Sequence, residues 1–178
     1  TMTLTDPALL EFSITSSDIS CFNACDGEII SQVTGGTNTA VAGYSYEWEN
    51  PAGVIIGTGN SISELCNEGT YILEVWDANG CQASPSTISQ LITEPAQIIA
   101  DITASDTGAA HKPFEVKFTG NTQPGGATYT YRYNVYLDGD SIDGDIPSNN
   151  PFWVTFTNPG ANIVTFFVAD QANPGCYD

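Results

Sequence analysis

An early segment of the chain returns 88 positions later (residue 5 to residue 93), and this repeat limits the fold more than any other feature. A period this long is typical of a tandem array of whole small domains and not of a solenoid of single hairpins. We therefore predict two domains, residues 1–94 and 95–178, joined by a short Thr-Glu-Pro-Ala hinge. The matching pairs are 5–8 (TDPA) with 93–96 (TEPA), 13–18 (SITSSD) with 101–106 (DITASD), and 75–81 (VWDANGC) with 168–176 (VADQANPGC).

Short segments of alternating apolar and polar residues fill both halves. Tyr44, Tyr46 and Trp48 alternate with polar neighbours, and Gly, Asn and Pro clusters recur every 8–12 residues, which indicates antiparallel strands. The predicted fold class is therefore all-β: two tandem immunoglobulin-like antiparallel β-sandwich domains, with Trp48 in a core. Strands are predicted at 10–16, 28–34, 43–49, 53–57, 70–76, 86–92, 98–104, 114–119, 128–137, 152–157 and 162–169.

The charge is strongly acidic, with 21 Asp and Glu against 3 Lys and Arg. Nucleic-acid binding needs a basic surface, so we expect no nucleic-acid partner, and anionic membranes are disfavoured for the same reason. No run of 18 apolar residues occurs, so we expect no membrane insertion, and any signal peptide is expected upstream of residue 1. The composition favours a secreted or bacterial cell-surface setting.

Four of the five cysteines fall in the first domain, which favours two disulfides there. Three connectivities are open. We favour Cys25–Cys66 with Cys21–Cys81, because both bonds would tie distant strands together, whereas Cys21–Cys25 with Cys66–Cys81 would close only local loops. A zinc site is the competing interpretation, although the only histidine, His111, lies in the other half. For Cys176 we expect a partner downstream.

Four carboxylates crowd into residues 138–145 and form the candidate metal site. Asp138, Asp140, Asp143 and Asp145 repel one another, and a Ca²⁺ ion would relieve that repulsion by oxygen ligation. The spacing is not that of an EF-hand, and a solvated turn between strands explains the same residues. No cofactor is required by the sequence, and Ca²⁺ is the one it suggests.

Aromatic residues provide a second candidate site. Trp76 points away from the face that carries Tyr71 and Leu73, and Trp153 follows a proline, so both are candidates for stacking on a sugar. Packing against long loops or a neighbouring domain explains them equally. We expect Asp77 and Asp170, in the repeated turns, to cap those turns through backbone amides.

Catalysis has little support in this composition. One histidine and three basic residues leave few acid–base or oxyanion partners, so we predict that the chain is not an enzyme.

The first domain resembles a gliding-adhesin SprB repeat over about residues 12–94. The resemblance implies tandem arrays in very long surface proteins of Bacteroidota, often exported by a type IX system and used in attachment or gliding. In such repeats the cysteines matching Cys25 and Cys66 appear or vanish together. Residues 37–43 and 50–60 are longer here than is usual. The matching segments are 19–27 (ISCFNACDG), 33–37 (VTGGT), 44–48 (YSYEW), 65–71 (LCNEGTY), 77–81 (DANGC) and 93–95 (TEP).

The second domain is similar to a PKD-type β-sandwich over about residues 97–176. The similarity is carried by residues 113–119 (PFEVKFT), 133–140 (YNVYLDGD), 158–160 (NPG) and 164–170 (VTFFVAD), although the usual Trp-Asp pair is missing. Such domains are generally spacers and binding modules.

These features together predict a non-catalytic segment of a long adhesin, attached to the outer membrane, acting as a stalk or adhesive module. Its expected partners are neighbouring domains of the same chain. The alternative is a carbohydrate-binding module, attached to a polysaccharide-active protein, whose partner is a surface polysaccharide.

Overall fold

A computed structural model describes residues 6–38, 43–105, 115–123, 129–137, 140–146, 152–155 and 163–178. The chain divides into two compact units, Thr1–Pro95 and Ala96–Asp178. This division lies one residue beyond the boundary that the repeat predicts. The described residues contain no helix long and apolar enough to cross a membrane.

Unit one is a sandwich of two antiparallel sheets. One sheet has the order β1-β2-β5 and the other β4-β3-β6-β7. The strands are β1 (Glu11–Ser17), β2 (Gly27–Thr34), β3 (Ser45–Glu49), β4 (Ile55–Gly57), β5 (Ser61–Leu65), β6 (Gly69–Trp76) and β7 (Gln82–Ile92).

The core of unit one follows from the alternation along β3 and β6. Tyr71, Leu73 and Val75 are buried between the sheets, while the residues between them lie on the outer face of the four-stranded sheet. Trp48 is fully buried, as predicted, and its indole N–H donates to the Gly59 carbonyl over 2.8 Å. This bond satisfies the polar atom of the largest core side chain, which burial would otherwise penalise.

Unit two repeats the strand order of unit one. Its sheets have the orders β12-β9-β8 and β11-β10-β13, so first, second and fifth strands again share one sheet. The strands are β8 (Ile99–Ser105), β9 (Glu115–Gln123), β10 (Tyr129–Leu137), β11 (Asp140–Ile146), β12 (Phe152–Thr155) and β13 (Ile163–Asp170). The predicted all-β fold class with antiparallel sheets is confirmed.

The last residues of the chain lie beside β13, where β7 lies beside β6 in unit one. The amide of Val168 donates to the Asp178 carbonyl over 2.9 Å, and Asp178 returns the bond over 3.0 Å. Within unit two, Phe118 and Val154 form a small core against Phe152 and Val164.

Two strands were absent from the sequence prediction. β5 occupies a segment for which no strand was predicted, and β11 occupies the acidic segment interpreted as a calcium site or a solvated turn. In β11 the pairing with β10 decides the structure, since Asp145 is opposite Arg132 and Asp143 is opposite Asn134. Ladder pairing outweighs the weak strand propensity of Asp and Gly here.

Candidate functional site

The loop between β1 and β2 is bonded to the last residues of unit one. The amide of Ile19 donates to the Thr93 carbonyl over 3.1 Å, and the Thr93 amide donates to Oδ1 of Asp18 over 2.8 Å. The amide of Asn23 donates to Oε1 of Glu94 over 2.6 Å. We call the loop residues 18–26, with Cys66, Thr93 and Glu94, the terminal clasp.

The loop itself is braced from within. Ser20 donates both its amide (2.8 Å) and its hydroxyl to the Asp26 carboxylate. These two bonds, the hydroxyl first, hold the pKa of Asp26 below its usual value. Ile19 is buried in the core, and Asn23 and Cys25 take left-handed conformations, with φ of 60° and 53°. A non-glycine residue holds that conformation only when its surroundings fix it.

Within the clasp, a disulfide joins the β1–β2 loop to the residue that follows β5. It connects Cys25 to Cys66, the first of the two favoured pairings. The bond closes a loop with a sequence separation of 41 residues, so it constrains β2, β3, β4 and β5 together.

The second favoured pairing, Cys21–Cys81, is wrong, because Cys81 is a free, exposed cysteine. Cys81 precedes β7, whereas Thr93, which bonds to the clasp loop beside Cys21, follows it. The eleven residues of β7 span roughly 35 Å, so Cys81 and Cys21 lie at opposite ends of the sandwich. Cys21 is disulfide-bonded, and so is Cys176, so the expectation of a downstream partner for Cys176 is also wrong.

Asp77 organises the turn between β6 and β7. Its carboxylate accepts from the amides of Thr37 (2.9 Å), Asn79 (2.9 Å) and Cys81 (2.8 Å). The bond from Thr37, followed by that from Cys81, keeps the pKa of Asp77 below its usual value. Asp170 repeats part of this arrangement, because it accepts from the amide of Ala172 over 2.9 Å. The predicted turn-capping role is confirmed for both aspartates.

The two candidate stacking residues differ in exposure. Trp76 is half-buried on the outer face of the four-stranded sheet, opposite Ser45 and Gln82. Trp153 is 44% exposed in β12, opposite Lys117. Their role in sugar binding stays a prediction.

The candidate calcium site falls largely outside the described side chains. Asp138 is not among the described residues, and Asp140, Asp143 and Asp145 lie in β11, of which only the backbone is described. Among the described residues, no group of three His, Cys, Asp or Glu side chains could hold a metal ion. The solvated turn considered for residues 138–145 is wrong for 140–145, which lie in β11, and calcium binding stays a prediction.

Sequence reasoning missed Asp18, Asn23 and Glu94 as a connected set. A signal was available in the repeat itself, because an acidic residue precedes proline in both linkers, at Asp6 and at Glu94. The pairing of Glu94 with a loop 71 residues earlier was not readable from the sequence, since it depends on how the two sheets pack.

No family model matches the chain, and no curated protein matches it. Among solved structures, the fibronectin(III)-like modules of CbhA from Clostridium thermocellum are similar to it. They share 13% identity with this chain over 90% of its length and 87% of theirs, with a TM-score of 0.35. A likeness of this size supports no inference about ligands or activity.

Proposed function

We propose that the chain is a non-catalytic stalk segment of a secreted or cell-surface adhesin, which transmits tension between the domains on either side. The resemblance to SprB repeats and PKD domains supports attachment to the surface of a Bacteroidota cell, export by a type IX system and a role in adhesion or gliding. The acidic composition supports this setting, because like charges keep long surface chains apart.

The terminal clasp is the observation that carries the proposal. At one end of unit one the Ser84 amide donates to the Leu10 carbonyl over 3.0 Å, and at the other the Ile19 amide donates to Thr93. The segments that enter and leave unit one therefore run in the same direction. Tension applied to both ends acts along the strands and strains these contacts together, instead of opening them one at a time.

Single-molecule stretching of unit one within the full chain tests the proposal. Cys21, Cys81 and Cys176 are replaced by serine, so that Cys25–Cys66 is the one remaining disulfide. We expect the length released on unfolding to be about 140 Å shorter under oxidising than under reducing conditions, because 41 residues stay closed off. The Cys25→Ala/Cys66→Ala variant should release the full length in both conditions.

The force at which unit one opens is the second readout. Asp18→Ala removes the bond to the Thr93 amide, so this variant should open at lower force, while Glu68→Ala, an exposed loop control, should not. A unit that opens at forces too small to measure, with no effect of Asp18→Ala, would contradict the stalk proposal.

The second candidate function is carbohydrate binding, favoured by the exposure of Trp153. Titration with polysaccharides, followed by tryptophan fluorescence, separates it from the first. Binding that is lost in Trp153→Ala or Trp76→Ala would establish a binding module, and we expect no such binding from a stalk.

A further inference from the structure

The outer face of the four-stranded sheet in unit one combines carboxylates with large apolar side chains. Outward positions are fixed by the register, because Trp48 and Leu73 point into the core. We call this surface the acidic sheet face, and it consists of Glu47, Glu49, Ile55, Ile72, Glu74 and Trp76.

The register brings like charges together on this face. Glu47 in β3 is directly opposite Glu74 in β6, and Glu49 follows two residues after Glu47. Like charges in directly opposed positions destabilise a sheet. Residues 1–95 contain no Lys, Arg or His, so unit one supplies no cationic side chain to offset this repulsion. A cationic partner would remove that cost. Because unit one has no cationic side chain, such a partner must come from outside unit one.

Apolar side chains lie within reach of the same carboxylates. Glu49 is opposite Ile72 on one side and Ile55 on the other, and Trp76 lies two residues beyond Glu74. The aliphatic stems of Lys and Arg pack on such apolar neighbours, and their charged ends are attracted to the face of a tryptophan ring.

Strand geometry selects the form of the partner. Residues two apart in an extended chain are separated by about 6.7 Å, which is the spacing of Glu47 and Glu49 along β3. An extended peptide with cationic residues at every second position has the same spacing. We propose that the acidic sheet face binds an extended segment of a different protein that carries Lys or Arg at alternate positions.

A second copy of this chain does not fit the description. Its three cationic residues, Lys112, Lys117 and Arg132, are never two positions apart, and its net charge of -18 opposes self-association. The proposal goes beyond the stalk function, which does not require a ligand.

Calorimetric titration of the full chain with two capped peptides tests the proposal. One peptide has alternating lysines (TKTKTKT) and the other has the same composition with adjacent lysines (TTKKKTT). We expect the alternating peptide to bind at least several-fold more tightly. The triple variant Glu47→Gln/Glu49→Gln/Glu74→Gln should weaken that binding about tenfold, from the sum of three exposed ion pairs.

A matched variant separates the effect of the acidic sheet face on binding from the effect of net charge. Glu11→Gln/Glu28→Gln/Glu68→Gln removes the same charge elsewhere on unit one and should change binding less than twofold. Loss of a like-charge pair favours folding, so the first triple variant should melt no lower than the parent. Trp76→Leu should weaken binding about threefold, as the loss of a cation–π contact predicts.

Three results would overturn the proposal. Equal weakening by both triple variants would show that only the net charge matters. Equal affinity for the two peptides would show that the face does not recognise the alternate spacing of lysines in an extended chain. Binding of a glucosamine oligomer in place of either peptide, with the same loss in the first triple variant, would assign the face to an amino sugar.

Discussion

Asp77 shows how one side chain fixes the positions of two segments. Asp77 is 6% exposed, and its carboxylate accepts from amides in the β2–β3 loop and in the β6–β7 turn. A carboxylate accepts all of these bonds only when it is ionised. The residue therefore couples the local structure of unit one to pH.

The first prediction concerns the stability of unit one in acid. Since the folded pKa of Asp77 is lowered, its contribution to the free energy of unfolding is fully present above the unfolded value of 3.8. That contribution is lost as the pH falls through the lower folded pKa. Asn at this position would turn an N–H donor toward the Thr37 amide. Urea unfolding at pH 7 and pH 3 should therefore show a large difference between the parent and Asp77→Asn at pH 7, which shrinks at pH 3.

The control for this prediction is Glu68→Gln, which changes an exposed loop carboxylate. It should follow the parent at both pH values. A deficit of Asp77→Asn that is equal at pH 7 and pH 3 would show that the carboxylate charge is not what the turn requires.

Trp48 is the second residue on which unit one depends. Trp48→Phe leaves the Gly59 carbonyl without its donor and leaves a void where the larger ring was. We predict a loss of about 2 kcal/mol in the free energy of unfolding, measured with urea. Trp76→Phe, on the outer face, should cost less than about 0.5 kcal/mol. Similar losses in the two variants would contradict the assignment of Trp48 as the central core residue.

At the scale of elements, the β1–β2 loop links the disulfide to the chain's exit from unit one. β1 and β7 are not paired in a described ladder, yet bonds at both of their ends hold them together. Because this loop carries Cys25 and also bonds to the residues that follow β7, we expect removal of the disulfide to affect both sheets of unit one.

The third prediction is the stability lost without the Cys25–Cys66 bond. Cys25→Ala/Cys66→Ala should lower the free energy of unfolding of unit one by up to about 4 kcal/mol, because the unfolded chain regains the entropy of the open loop. Urea unfolding under oxidising conditions measures this loss. Cys81→Ser should change stability by less than about 0.5 kcal/mol, and an equal loss in both variants would contradict the structural role of the disulfide.

Strands with strict alternation were predictable, and strands held by their neighbours were not. Val75 and Trp76 on opposite faces of β6 follow from period-two patterning alone. β5 and β11 lack that pattern: their Ser, Asp and Gly residues favour turns, and only the ladders with β2 and β10 make them strands. The Cys25–Cys66 bond could be predicted from the sequence. The clasp bonds of Asp18 and Asn23 could not, because they join the loop after a strand of one sheet to the residues that follow a strand of the other.

At the scale of the whole molecule, the two units share a strand order but differ in composition. Twelve of the 21 acidic residues and none of the three basic residues lie in residues 1–95, so unit one has the greater charge density. Unit one also has the larger described core, while the cluster formed by the described side chains of unit two centres on Phe118 and Val154. We therefore expect unit two to be the less stable part.

The fourth prediction tests whether the units unfold separately. In β9, a Cβ at Gly120 would lie 2.3 Å from Cζ of Phe166. Gly120→Val therefore overpacks the core of unit two and should lower its free energy of unfolding by about 1–3 kcal/mol. Trypsin can cleave efficiently only after Lys117 and Arg132, because Pro113 blocks cleavage after Lys112. Both sites lie in unit two. Cleavage at them should be about tenfold faster in Gly120→Val than in the parent. In a Trp153→Phe background, tryptophan fluorescence reports unit one alone, and its melting midpoint should stay unchanged by Gly120→Val. If Gly120→Val lowered both the melting midpoint of unit one and the protection against trypsin, the two units would instead unfold as a single cooperative structure.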